Sequence, residues 1–138
     1  MRLNANVVHA IVGLLNTSET IPTRLSDIAE REPELSRLFL EQVFRPLRLS
    51  GLVKSHRGPG GGYTLTRSLN KISLQDVLDV LSHKTVKQRA VSSLMAEVEK
   101  NLADRFKVYA QSYTLADMQN RIIPINTSAI TQYMEVRS

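Results

Sequence analysis

Cysteine is absent from this 138-residue sequence, and so is tryptophan. Without a thiol, the chain cannot form a disulfide, act through a cysteine nucleophile, or bind a metal ion or an iron-sulfur cluster through thiolates. The sequence also lacks an apolar run of about 18 residues, so no transmembrane segment is expected, and its first residues do not resemble a signal sequence. We therefore expect a soluble, cytoplasmic protein with no membrane partner.

Acidic residues are almost absent from one part of the chain, residues 36–67. The whole sequence has a net charge of +5, and the charges of this stretch alone add up to the same value. Its one acidic residue is Glu41, and its six basic residues are Arg37, Arg45, Arg48, Lys54, Arg57 and Arg67. A stretch that is basic to this degree is typical of a surface that binds the phosphates of nucleic acid.

The first third of the chain has the residue spacing of three short helices. Apolar residues recur at helical spacing before Asn16 and again in residues 25–31. Ser36 is placed to cap a third helix, and Gly51 is placed to end it. Pro46 lies inside this third helix, where the missing backbone N–H is expected to kink or loosen the last turns.

A glycine-rich segment separates two β-compatible runs, residues 52–56 and 63–66. The segment is Arg57-Gly58-Pro59-Gly60-Gly61-Gly62. It predicts a hairpin, here called the wing, whose tip is thin enough to approach a sugar-phosphate backbone or a minor groove. A plain tight hairpin would explain two of the glycines. A nucleotide-binding loop is not expected, because it needs Lys-Ser or Lys-Thr and a helix after the glycines, whereas Tyr63 continues as a strand.

Two capping boxes predict the starts of later helices, Ser73 with Asp76 and Thr114 with Asp117. Between them, apolar residues keep a spacing of three to four over about six turns, which predicts a long helix. A domain of this size cannot cover such a helix from one side, so we expect it to pack on the same helix of a second chain. The residues expected at this homodimer contact are Leu94, Met95, Val98, Leu102, Phe106 and Tyr109.

The predicted fold class is mainly α with a small β-hairpin wing, namely a winged helix-turn-helix domain followed by a long dimerisation helix. The DNA-binding domain is assigned to residues 1–82, and a linker is assigned to residues 83–90. Residues 91–123 contain the dimerisation helix and a short terminal helix, and residues 124–138 form an irregular tail.

The third helix of a winged helix-turn-helix enters the major groove, and the wing flanks it. Arginine can pair with guanine and glutamine with adenine, while glutamate can accept a hydrogen bond from the amino group of cytosine. Taken by itself, the third helix is equally compatible with a solvated polar surface. The residues expected to contact DNA are Arg24, Ser36, Arg37, Leu38, Phe39, Glu41, Gln42, Arg45, Arg48, Arg57, Gly58, Pro59 and Gly60.

Short motifs along the chain match the pattern of one known family. They include Leu40-Glu41-Gln42-Val43-Phe44, Gly51-Leu52-Val53-Lys54-Ser55 and, above all, Arg57-Gly58-Pro59-Gly60-Gly61-Gly62-Tyr63. In these motifs the chain resembles the Rrf-two (Rrf2) family of prokaryotic regulators. The resemblance implies that Leu38, Glu41, Gln42 and Arg48 meet DNA and that Arg57 and Gly58 enter the minor groove. Many family members hold an iron-sulfur cluster through three cysteines, so the resemblance is to a member without that cluster.

The sequence therefore predicts a sequence-specific transcriptional regulator, a repressor rather than an activator, that binds a palindromic operator in double-stranded DNA as a homodimer. The alternative is a winged-helix module that binds a partner enzyme or regulator. No enzyme is expected, because paired carboxylates and a Ser-His-Asp signature are lacking. None of the three histidines has a second ligand at helical spacing, so no metal and no other cofactor are predicted. A small-molecule or protein effector is compatible with this prediction, although no residue identifies it.

Overall fold

The structure, a computed structural model, describes residues 4–81 and 93–122 of the chain. These ranges contain six α-helices and one antiparallel hairpin of two strands, with a short 3-10 turn at Leu69–Lys71. In chain order the elements are α1 (Ala5–Leu15), α2 (Leu25–Arg31), α3 (Arg37–Leu49), β1 (Val53–His56), β2 (Gly62–Leu65), α4 (Leu74–Leu81), α5 (Ser93–Ser112) and α6 (Leu115–Ile122). The predicted fold class is confirmed. The predicted linker and tail lie outside the described residues.

The core lies where α1, α2, α3 and α4 meet. Its largest contribution comes from α3, whose Leu40, Phe44 and Leu47 are fully buried. α1 passes close to this face, since a Cβ on Gly13 would lie only 2.6 Å from Cε2 of Phe44. Burial of these side chains provides the hydrophobic free energy that fixes the position of α3 and leaves its opposite face in solvent.

α3 begins and ends at the predicted residues. Ser36 Oγ accepts a hydrogen bond of 3.1 Å from Phe39 N, which satisfies one of the free N–H groups at the start of the helix. Gly51 follows the helix with a φ of 83°, a conformation that glycine adopts at low cost. The helix continues past Pro46. Pro46 does not end the helix. The next residue, Leu47, is fully buried and packs the last turn against the core.

A third segment of the chain pairs with β2 close to the wing tip. Thr23 N donates to Tyr63 O at 2.9 Å and Tyr63 N donates to Thr23 O at 2.8 Å, which adds one antiparallel bridge to the hairpin. Gly62 makes this approach possible, because a Cβ there would lie 2.5 Å from Thr23 O. The sequence prediction does not include this bridge. It ties the chain just before α2 to the wing.

α5 differs from the other helices because it buries very little of its surface within the chain. Among its residues only Ala110 is buried, close to the end of the helix. Ala110 and Leu115 of α6 both belong to the hydrophobic core, and this is where α5 is anchored. No helix within residues 4–81 and 93–122 combines the length and the apolar character that crossing a membrane requires.

Candidate nucleic-acid interface

The solvent side of α3 carries most of the residues predicted to contact DNA. Its core-facing residues are Leu40, Val43, Phe44 and Leu47. Because helical side chains repeat every 3.6 residues, the residues between them point away from the core. Those that are exposed at the start and along this side are Ser36, Arg37, Leu38, Phe39, Glu41, Gln42, Arg45 and Arg48. The structure thus brings this part of the predicted set together on one helix.

The charged residues of α3 fall into two groups. Arg37 Nε lies 3.4 Å from Glu41 Oε1, one turn along the helix, and both side chains are well exposed. Such a pair contributes only about 0.3–0.5 kcal/mol in water, so it opens easily when a base approaches. Arg45 and Arg48 form no ion pair with any residue in the described part of the chain. Their guanidinium groups are therefore available to phosphates.

The wing tip presents one positive charge on a narrow turn. Its residues are Arg57, Gly58, Pro59 and Gly60, and all four are exposed. Gly58 and Gly60 have φ values of 90° and 73°, which side-chain-bearing residues rarely adopt. Gly61 N donates to Gly58 O at 2.9 Å and closes the turn. A narrow tip that carries an arginine has the shape and charge to enter a minor groove.

Arg24 lies beside the wing rather than on α3. It directly follows Thr23, whose backbone bonds to Tyr63 of β2. Its exposed side chain makes a long ion pair of 3.6 Å with Asp27. The Thr23–Tyr63 bridge is what places this arginine beside the tip end of β2. The pairing joins residues that are far apart in the sequence, so local patterns do not indicate it.

Phe39 makes a contact that the sequence does not indicate. Its ring packs edge-on against the ring of His9 on α1, with 5.4 Å between the ring centroids. His9 Nδ1 is buried and has no hydrogen-bond partner among the residues that the structure describes. The contact covers one side of the Phe39 ring with α1. The other side of the ring stays in solvent and is the part that a DNA contact could use. No sequence signal pairs the two residues, since they belong to different helices.

The predicted dimerisation residues lie along α5, and most of them are exposed. Leu94 and Leu102 expose 70% and 64% of their surface. The other exposed members are Met95, Val98 and Tyr109. Phe106 differs from them, because it is half-buried and packs against the core of its own chain. With about 100° of rotation per residue, these exposed members fall within about 100° of one another and therefore form one apolar stripe on the helix.

Known relatives match nearly the whole chain. The sequence model of the Rrf2 family, described as iron-dependent transcriptional regulators, matches residues 5–121. The HTH-type transcriptional regulator IscR of Enterobacter sp. (strain 638) is 31% identical over 149 aligned positions, which cover 99% of this chain and 91% of that protein. IscR of Escherichia coli (strain SMS-3-5 / SECEC) is 32% identical over 132 positions, with coverages of 87% and 81%.

Solved structures of regulators have the same architecture. IscR of T. potens superposes with a TM-score of 0.72, at 32% identity and with 88% of each chain covered. CymR of B. subtilis, described as its global cysteine regulator, superposes with a TM-score of 0.69, at 28% identity, covering 88% of this chain and 98% of that one. These relatives are regulators, which confirms the prediction that the chain is not an enzyme.

The donor residues of this chain do not fit the cysteine-ligated cluster that an iron-dependent family suggests. The sequence has no cysteine at all, so no thiolate ligand is available. In the two described ranges, no group of three or more histidine, aspartate or glutamate side chains could hold a metal ion. The similarity to the family therefore lies in the sequence match over residues 5–121 and in the fold, and does not extend to cysteine ligands.

The fold, the exposed surface and the relatives agree with one another. Three helices followed by a glycine-tipped hairpin form the winged helix-turn-helix, with the basic side of α3 and the wing tip open to solvent. The family match spans residues 5–121, and the IscR relative covers 99% of the chain. The chain therefore belongs to the Rrf2 family of winged-helix, DNA-binding transcriptional regulators.

Proposed function

We propose that this regulator binds a palindromic operator as a homodimer, with each α3 in a major groove and each wing in the adjacent minor groove. The observation that carries this proposal is that one molecule exposes unpaired arginines on both elements. Arg45 and Arg48 on α3 and Arg57 at the wing tip form no ion pair within residues 4–81 and 93–122. The protein acts on DNA in the cytoplasm and needs no iron-sulfur cluster to bind it.

Affinity and specificity come from different side chains of this interface. Arg45, Arg48 and Arg57 neutralise phosphates or enter the minor groove, which gives binding that weakens as salt rises. Glu41 and Gln42 meet base edges, where glutamate accepts from cytosine and glutamine pairs with adenine. Each good base contact discriminates against the wrong base by about 1–3 kcal/mol.

Arg37 and Glu41 act together in base selection. In the free protein their side chains are paired at 3.4 Å on the solvent side of α3. On DNA, the same two groups can separate and meet neighbouring bases, arginine with guanine and glutamate with cytosine. Since the exposed pair is weak, its opening subtracts little from the binding free energy.

The apolar stripe on α5 forms the dimer contact. Its exposed members Leu94, Val98 and Leu102 lie on one side of the helix, and each is at least half exposed to solvent in the single chain. Burial of this apolar surface in a second copy is favourable by about 25 cal/mol for each Å² removed from water. A two-fold axis through this contact relates two DNA-binding domains, assigned to residues 1–82 of each chain, and so requires a palindrome.

We propose repression rather than activation as the direction of regulation. A dimer with two recognition helices and two wings on adjacent helical turns occupies a promoter simply by binding. Repression of this kind needs no additional surface for contact with RNA polymerase.

Selection from a library of random duplexes at physiological salt tests the proposal, with sequencing of the retained DNA. We expect a palindromic consensus whose half-sites lie about one helical turn apart. Retention without any consensus would contradict sequence-specific regulation by the protein alone. If no DNA is retained even at low salt, the winged-helix module binds a protein partner instead.

A further inference from the structure

The two capping boxes of the chain meet at one point, where α4 and α6 begin. Ser73 and Thr114 face each other in an isolated antiparallel bridge. Its two backbone hydrogen bonds, of 2.8 and 2.9 Å, run from Leu74 N to Tyr113 O and from Leu115 N to Ile72 O. Ile72 and Leu115 are fully buried, so water does not compete for this bridge. The start of α4 is thereby joined to the segment that connects α5 to α6.

Each residue of the bridge also caps a helix with the aspartate three residues later. Ser73 N donates to Asp76 Oδ2 at 2.9 Å, and Asp76 N donates to Ser73 Oγ at 3.1 Å. Thr114 N donates to Asp117 Oδ2 at 3.0 Å, and Asp117 N donates to Thr114 Oγ1 at 3.1 Å. The hydrogen bonds from Thr114 hold the pKa of the Asp117 carboxyl below its usual value. The matching pairs of hydrogen-bond distances show that the two boxes have nearly the same geometry.

One contact distinguishes the two boxes. Arg67 Nη2 lies 3.2 Å from Asp76 Oδ2, the same oxygen that accepts from Ser73 N. Asp117 has no ion pair with a residue in the described ranges. Arg67 follows β2 at the base of the wing. There the neighbouring Thr66 Oγ1 donates to Gly51 O at 2.6 Å and to Leu52 O at 3.1 Å. A single carboxylate oxygen thus connects the wing base to the bridge.

We propose that Asp76 is a positioning residue that sets the direction of the wing relative to α5. The inference rests on the proposed function, in which α5 forms the dimer contact and the wing contacts DNA. α5 ends at Ser112, directly before the bridge, so the bridge and Arg67 form a polar connection between its end and the wing base, in addition to the core contacts of Ala110. In a dimer, the direction of each wing relative to α5 determines the distance between the two wings. Asp76 thereby determines which half-site spacing the dimer accepts.

Asp76→Asn tests this inference, and Asp117→Asn is the matched control. Both substitutions remove one negative charge and weaken a capping box of the same geometry. Kd is measured for the selected palindrome and for two altered versions, with the half-sites one base pair farther apart and one base pair closer. We expect Asp76→Asn to reduce the preference for the selected spacing about two- to fivefold, the range that loss of an exposed ion pair allows. Asp117→Asn should keep the wild-type preference.

Arg67→Gln separates positioning from capping, because it removes the ion pair and leaves both capping boxes in place. It should reduce the spacing preference as Asp76→Asn does. An unchanged preference in both variants, with the wild-type dimer still bound to its palindrome, would overturn this inference and leave the proposed function intact. An equal reduction in Asp117→Asn would also overturn it, because capping would then be the cause. If the wild-type protein binds no palindrome, the proposed function fails and this inference fails with it.

Discussion

α3 and α5 differ in how much of their apolar surface the chain itself covers. α3 buries Leu40, Val43, Phe44 and Leu47 in the core of its own chain and leaves its charged residues in solvent. α5 fully buries only Ala110, half-buries Phe106 and leaves most of its other large apolar residues in solvent. The surface that we propose meets DNA is thus fixed within one chain. The arrangement of two such surfaces depends on what covers α5, for which we propose a second copy.

The largest effect is expected in the core that supports α3. Phe44→Ala removes a fully buried ring and should lower the free energy of unfolding by about 3–5 kcal/mol. Urea denaturation measures this loss. Phe39→Ala, on the exposed side of the same helix, is the control and should cost clearly less. Equal losses would show that α3 is not held by its core-facing side.

The dimer contact should be the next most sensitive feature. Leu102→Asp places a charge in the apolar stripe of α5, so the dimer should dissociate. Operator affinity should then fall by about a hundredfold or more, because the two half-sites are no longer bound by linked domains. Light scattering and binding titrations measure the two effects. Ala103→Asp adds the same charge about 100° further round the helix, away from the stripe, and should leave both unchanged. A dimeric Leu102→Asp variant would contradict the assignment of the stripe.

A smaller effect is expected on the base-contacting side of α3. Glu41→Ala removes the carboxylate that can accept from cytosine and should reduce discrimination at one position of each half-site by about 1–3 kcal/mol. Repeated selection from random duplexes would show this position become degenerate. Glu30→Ala, an exposed acid on α2, is the control. A consensus that is identical for Glu41→Ala and the wild type would show that Glu41 does not select a base.

The wing should affect affinity for all sequences alike. Arg57→Ala should weaken binding to every duplex and reduce the slope of log K against log salt by about one per protomer. Titrations at several salt concentrations measure the slope. Arg31→Ala removes an exposed arginine at the end of α2 and should leave it unchanged. If Arg57→Ala also leaves the slope unchanged, the wing tip has no phosphate or groove contact.

The smallest effect is expected from removal of iron. Because the chain has no cysteine, operator affinity should be the same before and after treatment with a strong iron chelator. A binding titration of the treated protein measures this directly. Loss of binding that added iron restores would show that other residues hold a metal which the DNA-binding state requires.

Local signals predicted most of the fold. Ser36 and Gly51 mark the ends of α3 through capping and a left-handed conformation, both of which depend on adjacent residues. The capping boxes at Ser73 and Thr114 likewise start helices in the structure. The bridge between these two residues was not predictable, because it joins distant segments whose pairing is decided by tertiary packing.

Pairing between distant segments also limited what the sequence could predict about the candidate DNA interface. The residues of α3 could be assigned from helical spacing, whereas the place of Arg24 depends on the Thr23–Tyr63 bridge and on the missing Cβ of Gly62. Phe106 is a residue for which helical spacing predicted more than the structure shows. Its spacing fits the stripe on α5, yet it packs partly on its own chain, since spacing alone does not tell which chain covers an apolar side chain.

The mass of the complex formed on a selected operator tests the central claim most directly. Light scattering is recorded for the protein with the full palindrome and with a duplex in which one half-site is scrambled. The account predicts two chains on the palindrome, and a large loss of affinity when one half-site is scrambled. A single chain on the palindrome, with the same affinity for both duplexes, would contradict a homodimer that holds its two recognition helices and wings on one operator.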